Sequence, residues 1–190
     1  MPENNKVHYD LTNVYIAKVM TTGENPTWDA PKRLQGAISM DLSAKGDTVK
    51  LRADGIDYYV SVSNNGYEGD LNLAMVPDWF RQEILGNTLS EKDKVLVENA
   101  MAEPSAFALL YEFLYDKKHR RHVLYNCVAS RPNIQGENKD NQKEPDTESM
   151  TITASPLEGG NVKASTTEDT PDAVYSGWME EVWTQDTTTM

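Results

Sequence analysis

Apolar residues recur at every second position over much of this chain, and that period constrains its fold more than any other feature. In Leu34–Gln35–Gly36–Ala37–Ile38–Ser39–Met40–Asp41–Leu42, the side chains of Ile38, Met40 and Leu42 fall on one side, because a strand repeats every two residues. Asn13 to Ala17, Thr48 to Leu51, Ile56 to Val62 and Thr151 to Ala154 alternate in the same way and read as half-buried strands. Turn-forming residues punctuate them. AKGD (44–47) is expected to turn the chain into Thr48, and Asp54–Gly55 is a second turn signal, since both residues tolerate positive φ.

The stretch SNNGYEGD (63–70) follows. With alternating flanks on both sides, it is predicted to be a hairpin connection with Asn65–Gly66 as the turn. Its G-x-x-G lacks the basic surroundings of a nucleic-acid loop, and Glu68 and Asp70 repel phosphates. The alternate acids and twelfth-position Glu of a calcium loop are absent.

Two helices are predicted. In VPDWFRQEILG, Pro77 suits the first helical position, Asp78 complements the dipole, Phe80 and Ile84 share a face, and Gly86 ends the helix. In TPDAVYSGWMEEVW, Thr170 is the expected N-cap, and Val174, Trp178 and Val182 form an apolar stripe. Trp79, Phe80, Ile84 and Trp178 are the residues expected to pack these helices on the core. SAFALLYEFLYD (105–116) fits either period, but its aromatic content favours a strand paired through DKKHR with Arg121 to Ala129.

A chain of 190 residues is long enough for one self-sufficient domain, 1–190. Three polar segments are expected to be mobile arms: 21–33, 132–148 and 184–190. The single cysteine rules out a disulfide framework and suits a reducing compartment. MPENNKVHYDLTN has no signal-peptide pattern, and no run of about 18 apolar residues exists to span a membrane. The net charge of −12 argues against nucleic-acid binding through the overall field. The basic cluster KKHRRH (117–122) reads as a solvated hairpin turn rather than a phosphate patch.

Chemistry is thinly supplied. The chain has three histidines, and the H-x-x-H of His119 and His122 does not put both rings on one strand face or find a third zinc ligand nearby. Cys127 lies in an apolar strand, where a packed thiol is expected rather than a nucleophile. No nucleophile elbow, Walker loop or dinucleotide fingerprint occurs. The expectation is a non-enzyme with no cofactor and no metal, whose surface does the work.

Several stretches resemble a known family in order and length: VHYDLTNVYIAK, GAISMDLSAKGD, VSVSNNGYEGDLNLAMVPDWFRQEILG, VLVENAMAEPSAFALLYEF, RRHVLYNCVASRPNI and EPDTESMTITASP. They are similar to the major tail protein, the tail-tube subunit, of long non-contractile-tailed phages (siphophages) of Gram-positive bacteria. The likeness runs from about residue 6 to 183, most weakly over Thr21 to Leu34. It implies a mainly β fold, a β-sandwich or barrel-like tail-tube domain with one flanking α-helix, a short C-terminal helix and extended loops or arms.

It also implies hexameric rings joined edge to edge, stacked into a tube through a long loop and the terminal arms, with DNA passing down the lumen without specific binding. The partners implied are further copies of the chain and the tape-measure, distal tail and tail-terminator proteins. The chain would be made in the host bacterial cytoplasm and end in the virion tail. Because arms that order on stacking delay premature filaments, the ring-stacking candidates are Trp28, Lys32 and Arg33 in one polar segment and Asn138, Lys139, Asp140 and Lys143 in the other. Two rivals remain: a tail-completion ring that does not polymerise, and a carbohydrate-binding β-sandwich marked by exposed aromatics on one sheet face.

Overall fold

The computed structural model describes residues 5–23, 25–136 and 145–185. The strands are β1 (His8–Thr21), β2 (Thr27–Trp28), β3 (Lys32–Arg33), β4 (Ala37–Lys45), β5 (Thr48–Ala53), β6 (Ile56–Val62), β7 (Gly66–Leu73), β8 (Thr88–Leu89), β9 (Leu96–Val97), β10 (Phe107–Tyr115), β11 (Arg120–Ala129), β12 (Glu148–Ala154) and β13 (Lys163–Ser165). Two short helices complete the elements, α1 (Asp78–Glu83) and α2 (Asp172–Gly177). The fold is mainly β and sandwich-like.

One antiparallel sheet dominates, in the order β2-β1-β10-β11-β12-β7-β4, with β3 added to β1 and β13 to β11. Residues 34–36 link its two ends: Leu34 N–H donates to Val14 C=O, and Ala74 N–H to Gly36 C=O, each at 2.8 Å. The sheet therefore curls over on itself. Its concave side encloses the main core, built from Ile16, Leu71, Leu73, Phe107, Leu109, Leu124, Met150 and Ile152. The α1 segment adds Phe80 and Ile84 to that core, with the Phe80 ring edge-on to Phe107 at 5.9 Å. Trp79 packs on it half-buried.

β10 shows why its sequence fitted two periods. Phe107, Leu109 and Tyr111 enter the main core, while Ala108 and Leu110 enter a second cluster with Ala17, Val123, Tyr125, Trp178 and Val182. A strand buried on both faces reads as a nearly continuous apolar run. It pairs with β11 in the predicted way, Phe113 opposite Arg120.

The second cluster is covered by the C-terminal segment, held through the β10–β11 hairpin. Arg121 pairs with Glu112 at 2.9 Å, lies 4.1 Å from the Tyr175 ring, and donates to the Tyr175 carbonyl. Arg120 makes two 3.0 Å bonds to Glu168, and Lys118 donates to the Glu168 and Thr170 carbonyls. Asn5 ties the N-terminal segment to the same turn by accepting from the Lys117 and Lys118 N–H groups. Lys118, Arg120 and Arg121, read as part of a solvated turn, thus hold the C-terminal segment with their side chains, while the backbone of the same turn holds Asn5.

Three sequence expectations change. The predicted turns at 44–47 and 63–66 are not turns. β4 pairs with β7, β5 pairs with β6, and between them Ser63 N–H donates to Asp47 C=O at 2.9 Å and Asn65 N–H to Lys45 C=O at 2.8 Å. Residues 37–53 and 56–73 are therefore one long ribbon that reverses only at Asp54–Gly55. The glycines there answer to close backbone approach: a Cβ on Gly46 would lie 2.0 Å from the Ser63 oxygen, and one on Gly66 would lie 1.9 Å from the Ala154 oxygen. Glycine and asparagine suit such an irregularity as well as they suit a turn.

Ile38 does not share the buried side of Met40 and Leu42. The register slips between Ala37 and Ser39, leaving Ile38 at the slip and exposed. Thr170 is not the cap of α2, whose N-cap is Pro171 with no side-chain bond. The Thr170 hydroxyl instead accepts from the Thr167 N–H at 2.8 Å.

His122 gives the fold a pH dependence. Its ring stacks on Tyr111 at 5.0 Å, Nε2 is buried without a hydrogen-bond partner, and burial, with Lys163 and Arg120 nearby, pushes its pKa from 6.5 down to about 4. The folded ring is neutral where the unfolded chain takes up a proton, so His122's contribution is complete above about 6.5 and is lost as the pH falls towards 4. The unfolding midpoint in urea should fall across that window. His122→Phe, which keeps a ring against Tyr111, should flatten the fall; the same slope in both proteins would assign it to other groups.

Candidate self-assembly interface

Past Lys45 and Gly66 the ribbon loses its neighbour β12 and runs on as β5–β6 alone. All of β6 and all of β5 except Ala53 are exposed. Six residues of strand extend about 20 Å. Val49, Leu51, Ile56, Tyr58, Tyr59, Val60 and Val62 are each 50–71% exposed, a density far above the scattered apolar residues of an ordinary surface.

The register sorts the ribbon into two faces. Val49 lies opposite Ser61, Leu51 opposite Tyr59, and Ala53 opposite Ile56, which makes one uncharged face. Lys50 and Arg52 share the other face with Asp57, at 3.0 and 3.4 Å from its carboxylate. A slip between Leu51 and Arg52 leaves Tyr58 as the extra residue on β6. The charges are thus gathered and paired on one side. The other side can be dried without burying an ion, a step that otherwise costs several kcal/mol. Among the described residues nothing packs on it.

A second surface has the opposite character. On the outer side of β4, β7 and β12, Ser39, Asn72 and Ser149 form one row, Asp41, Asp70 and Thr151 the next, and Ser43, Glu68 and Thr153 a third. These rows are tied by Asn72 to Ser39 at 2.9 Å, Thr151 to Asp70 at 3.0 Å and Thr153 to Glu68 at 3.3 Å. Lys45, 2.6 Å from Glu68, holds that carboxyl below its usual range. The rows carry hydroxyls, one amide and three carboxylates, with no apolar residue.

The residues singled out as stacking candidates are dispersed. Trp28 packs half-buried on the second cluster, its indole N–H donating to the Tyr125 carbonyl at 3.1 Å. Lys32 pairs with Glu83 at 2.6 Å and lies over the Trp79 ring, and Arg33 is an exposed residue of β3 opposite Tyr15. The structure therefore gives this part of the 21–33 segment strand pairings within the subunit. Asn138, Lys139, Asp140 and Lys143 lie outside the described residues, as do parts of segments 132–148 and 184–190. Trp178 is buried in the second cluster. Sequence reasoning read β5 and β6 as half-buried strands, whereas the structure leaves the whole ribbon except Ala53 exposed. Its signal was apolar residues at both odd and even positions of IDYYVSV, with no third strand nearby to cover them.

Burial pushes the Cys127 thiol up to about 12, so it is not a thiolate near neutrality. Among the described residues no group of three or more His, Cys, Asp or Glu could hold a metal, and no helix is long and apolar enough to cross a membrane.

The chain matches no family model and no curated protein. Among solved structures it is similar to the tube-terminating cap of the anti-feeding prophage, at 9% sequence identity and a TM-score of 0.45 over 87% of this chain and 96% of that chain. A likeness at that level identifies neither family nor function.

Proposed function

We propose that this chain is a structural, non-catalytic subunit of a phage tail, the major tail-tube protein of a long non-contractile tail. The observation that carries the reading is the β5–β6 ribbon. An exposed two-stranded arm with an uncharged face and unpaired edges is a liability on a monomer and an interface in a polymer. The ordered sequence resemblance supports the same reading.

In this account subunits join edge to edge into rings, six to a ring, and the rings stack into a tube. The outer edge of β4, which carries no strand among the described residues, is available for lateral pairing. The acid- and hydroxyl-bearing face of β4, β7 and β12 suits the lumen. Asp41, Glu68 and Asp70 would repel phosphates there, whereas lysines or arginines would hold DNA by counterion release. Partners are further copies of the chain and the tape-measure, distal tail and tail-terminator proteins. The protein is made in the bacterial cytoplasm and ends in the virion.

Negative-stain electron microscopy over a concentration series, with light-scattering mass alongside, tests the reading. Hollow tubes or stacks of rings are expected. Single rings that never lengthen would favour a tail-completion ring, and a monomer that binds glycans would favour the carbohydrate-binding sandwich.

A further inference from the structure

The two ends of the sheet are apolar in complementary ways. β4 and β7 leave the sheet for the ribbon in the direction of the β10–β11 turn, because Lys45 lies opposite Gly66 and Ala37 opposite Leu73 while β12 runs antiparallel to both β7 and β11. At the other end, β7 finishes at Leu73 and β10 begins at Phe107, so the excursion between them starts and ends there. That excursion carries a second small ribbon, β8–β9. Thr88 lies opposite Val97, and Ser90 N–H donates to Val95 C=O at 2.8 Å, which puts Thr88, Ser90, Val95 and Val97 on one uncharged face. Val95 and Val97 are exposed, and Met101 just beyond them is 87% exposed. Glu98 fixes the segment to Arg131 at 3.1 Å.

We infer that the uncharged face of β5–β6 packs on the uncharged face of β8–β9 and Met101 of a second copy. The inference rests on the tube reading and names the receiving surface for the ribbon. Three observations select a second copy as the occupant. Both surfaces are two-stranded ribbons with one face free of charge, a pair suited to face-to-face sheet packing at about 10 Å. They lie at opposite ends of the subunit, so a chain cannot satisfy its own. A head-to-tail contact between patches at opposite ends covers both in every copy, and such a contact grows along an axis when its rotation does not close a ring.

Cysteine cross-linking in full-length protein tests it, since native Cys127 is buried. Tyr59→Cys and Val97→Cys are made separately, mixed, allowed to assemble and treated with a short bis-maleimide. The mixture should yield a covalent dimer that neither variant gives alone, and Tyr59→Cys/Val97→Cys in one chain should yield a ladder. Assemblies visible by microscopy that give no dimer above the single-variant background would overturn this contact and leave the tube reading intact. No assembly of the native chain under any condition would remove both. Leu51→Lys and Val97→Glu supply a second readout. Each alone should stop elongation with its melting temperature unchanged, and an equimolar mixture should recover it, because the new charges then meet across the junction. Elongation of either variant alone would contradict the contact.

Discussion

Replacing residues 48–62 by a two-residue Asn-Gly turn between Asp47 and Ser63 should abolish assembly while leaving a folded monomer. The ends to be joined already lie side by side, with Ser63 N–H donating to Asp47 C=O at 2.9 Å and the Ser63 hydroxyl accepting from Asp47 N–H at 2.9 Å. No residue of β5 or β6 belongs to either core cluster, so thermal unfolding should stay within a few degrees of the native protein. Asn-Gly supplies the positive φ values that a two-residue connection needs. The measurement is light-scattering mass against concentration, with a melting curve on the same sample. Elongation by the shortened chain would remove the ribbon from the interface, and loss of the folded state would make it structural.

The largest effect on stability is expected at Glu112. It is 4% exposed and lies opposite Arg121 on β10–β11, beneath α2. Glu112→Leu keeps much of the volume but leaves the Arg121 guanidinium partly buried without its carboxylate. Removing one partner of such a pair costs about 3–5 kcal/mol, because a charge then stays desolvated and uncompensated. In a chain of this length that is roughly a 10 °C fall in melting temperature. Exchanging both residues for leucine should recover part of the loss, since two apolar groups satisfy each other where one charge cannot. The recovery is incomplete because Arg121 also holds Tyr175. A single substitution costing under about 1 kcal/mol would place the pair among solvent-screened surface bridges.

Both experiments turn on features that the sequence conveyed unevenly. Strand positions were legible because a period of two survives wherever one side of the sheet faces a core, as in Val14, Ile16, Ile152 and Ala154. The helix around Phe80 was legible because proline, an acid and a glycine mark its ends. Connectivity in the β4–β7 region was not. The residues that make a hairpin turn also make a slip in a continuing ribbon, and only the pairing of Lys45 with Gly66 and Thr48 with Val62 separates the two.

The basic cluster is the hairpin turn it was read as, but Lys118, Arg120 and Arg121 are not simply solvated, for a related reason. The partners of Lys118, Arg120 and Arg121 lie about 50 residues away in Glu168, Thr170 and Tyr175, or at Glu112 across the hairpin. No local pattern announces those contacts. The ribbon's exposure escaped for the opposite reason. Apolar residues at both odd and even positions of IDYYVSV fit a strand buried on both faces as well as an uncovered one, and exposure becomes visible only once the other strands are placed.

Helical reconstruction by electron cryomicroscopy of material assembled from the full chain tests the central claim most directly. The account predicts a hollow tube of stacked rings, with β5–β6 crossing each ring boundary and the row of Asp41, Asp70 and Thr151 facing the channel. A filament without a channel, or a closed oligomer in which the ribbon stays solvent-exposed, would contradict it.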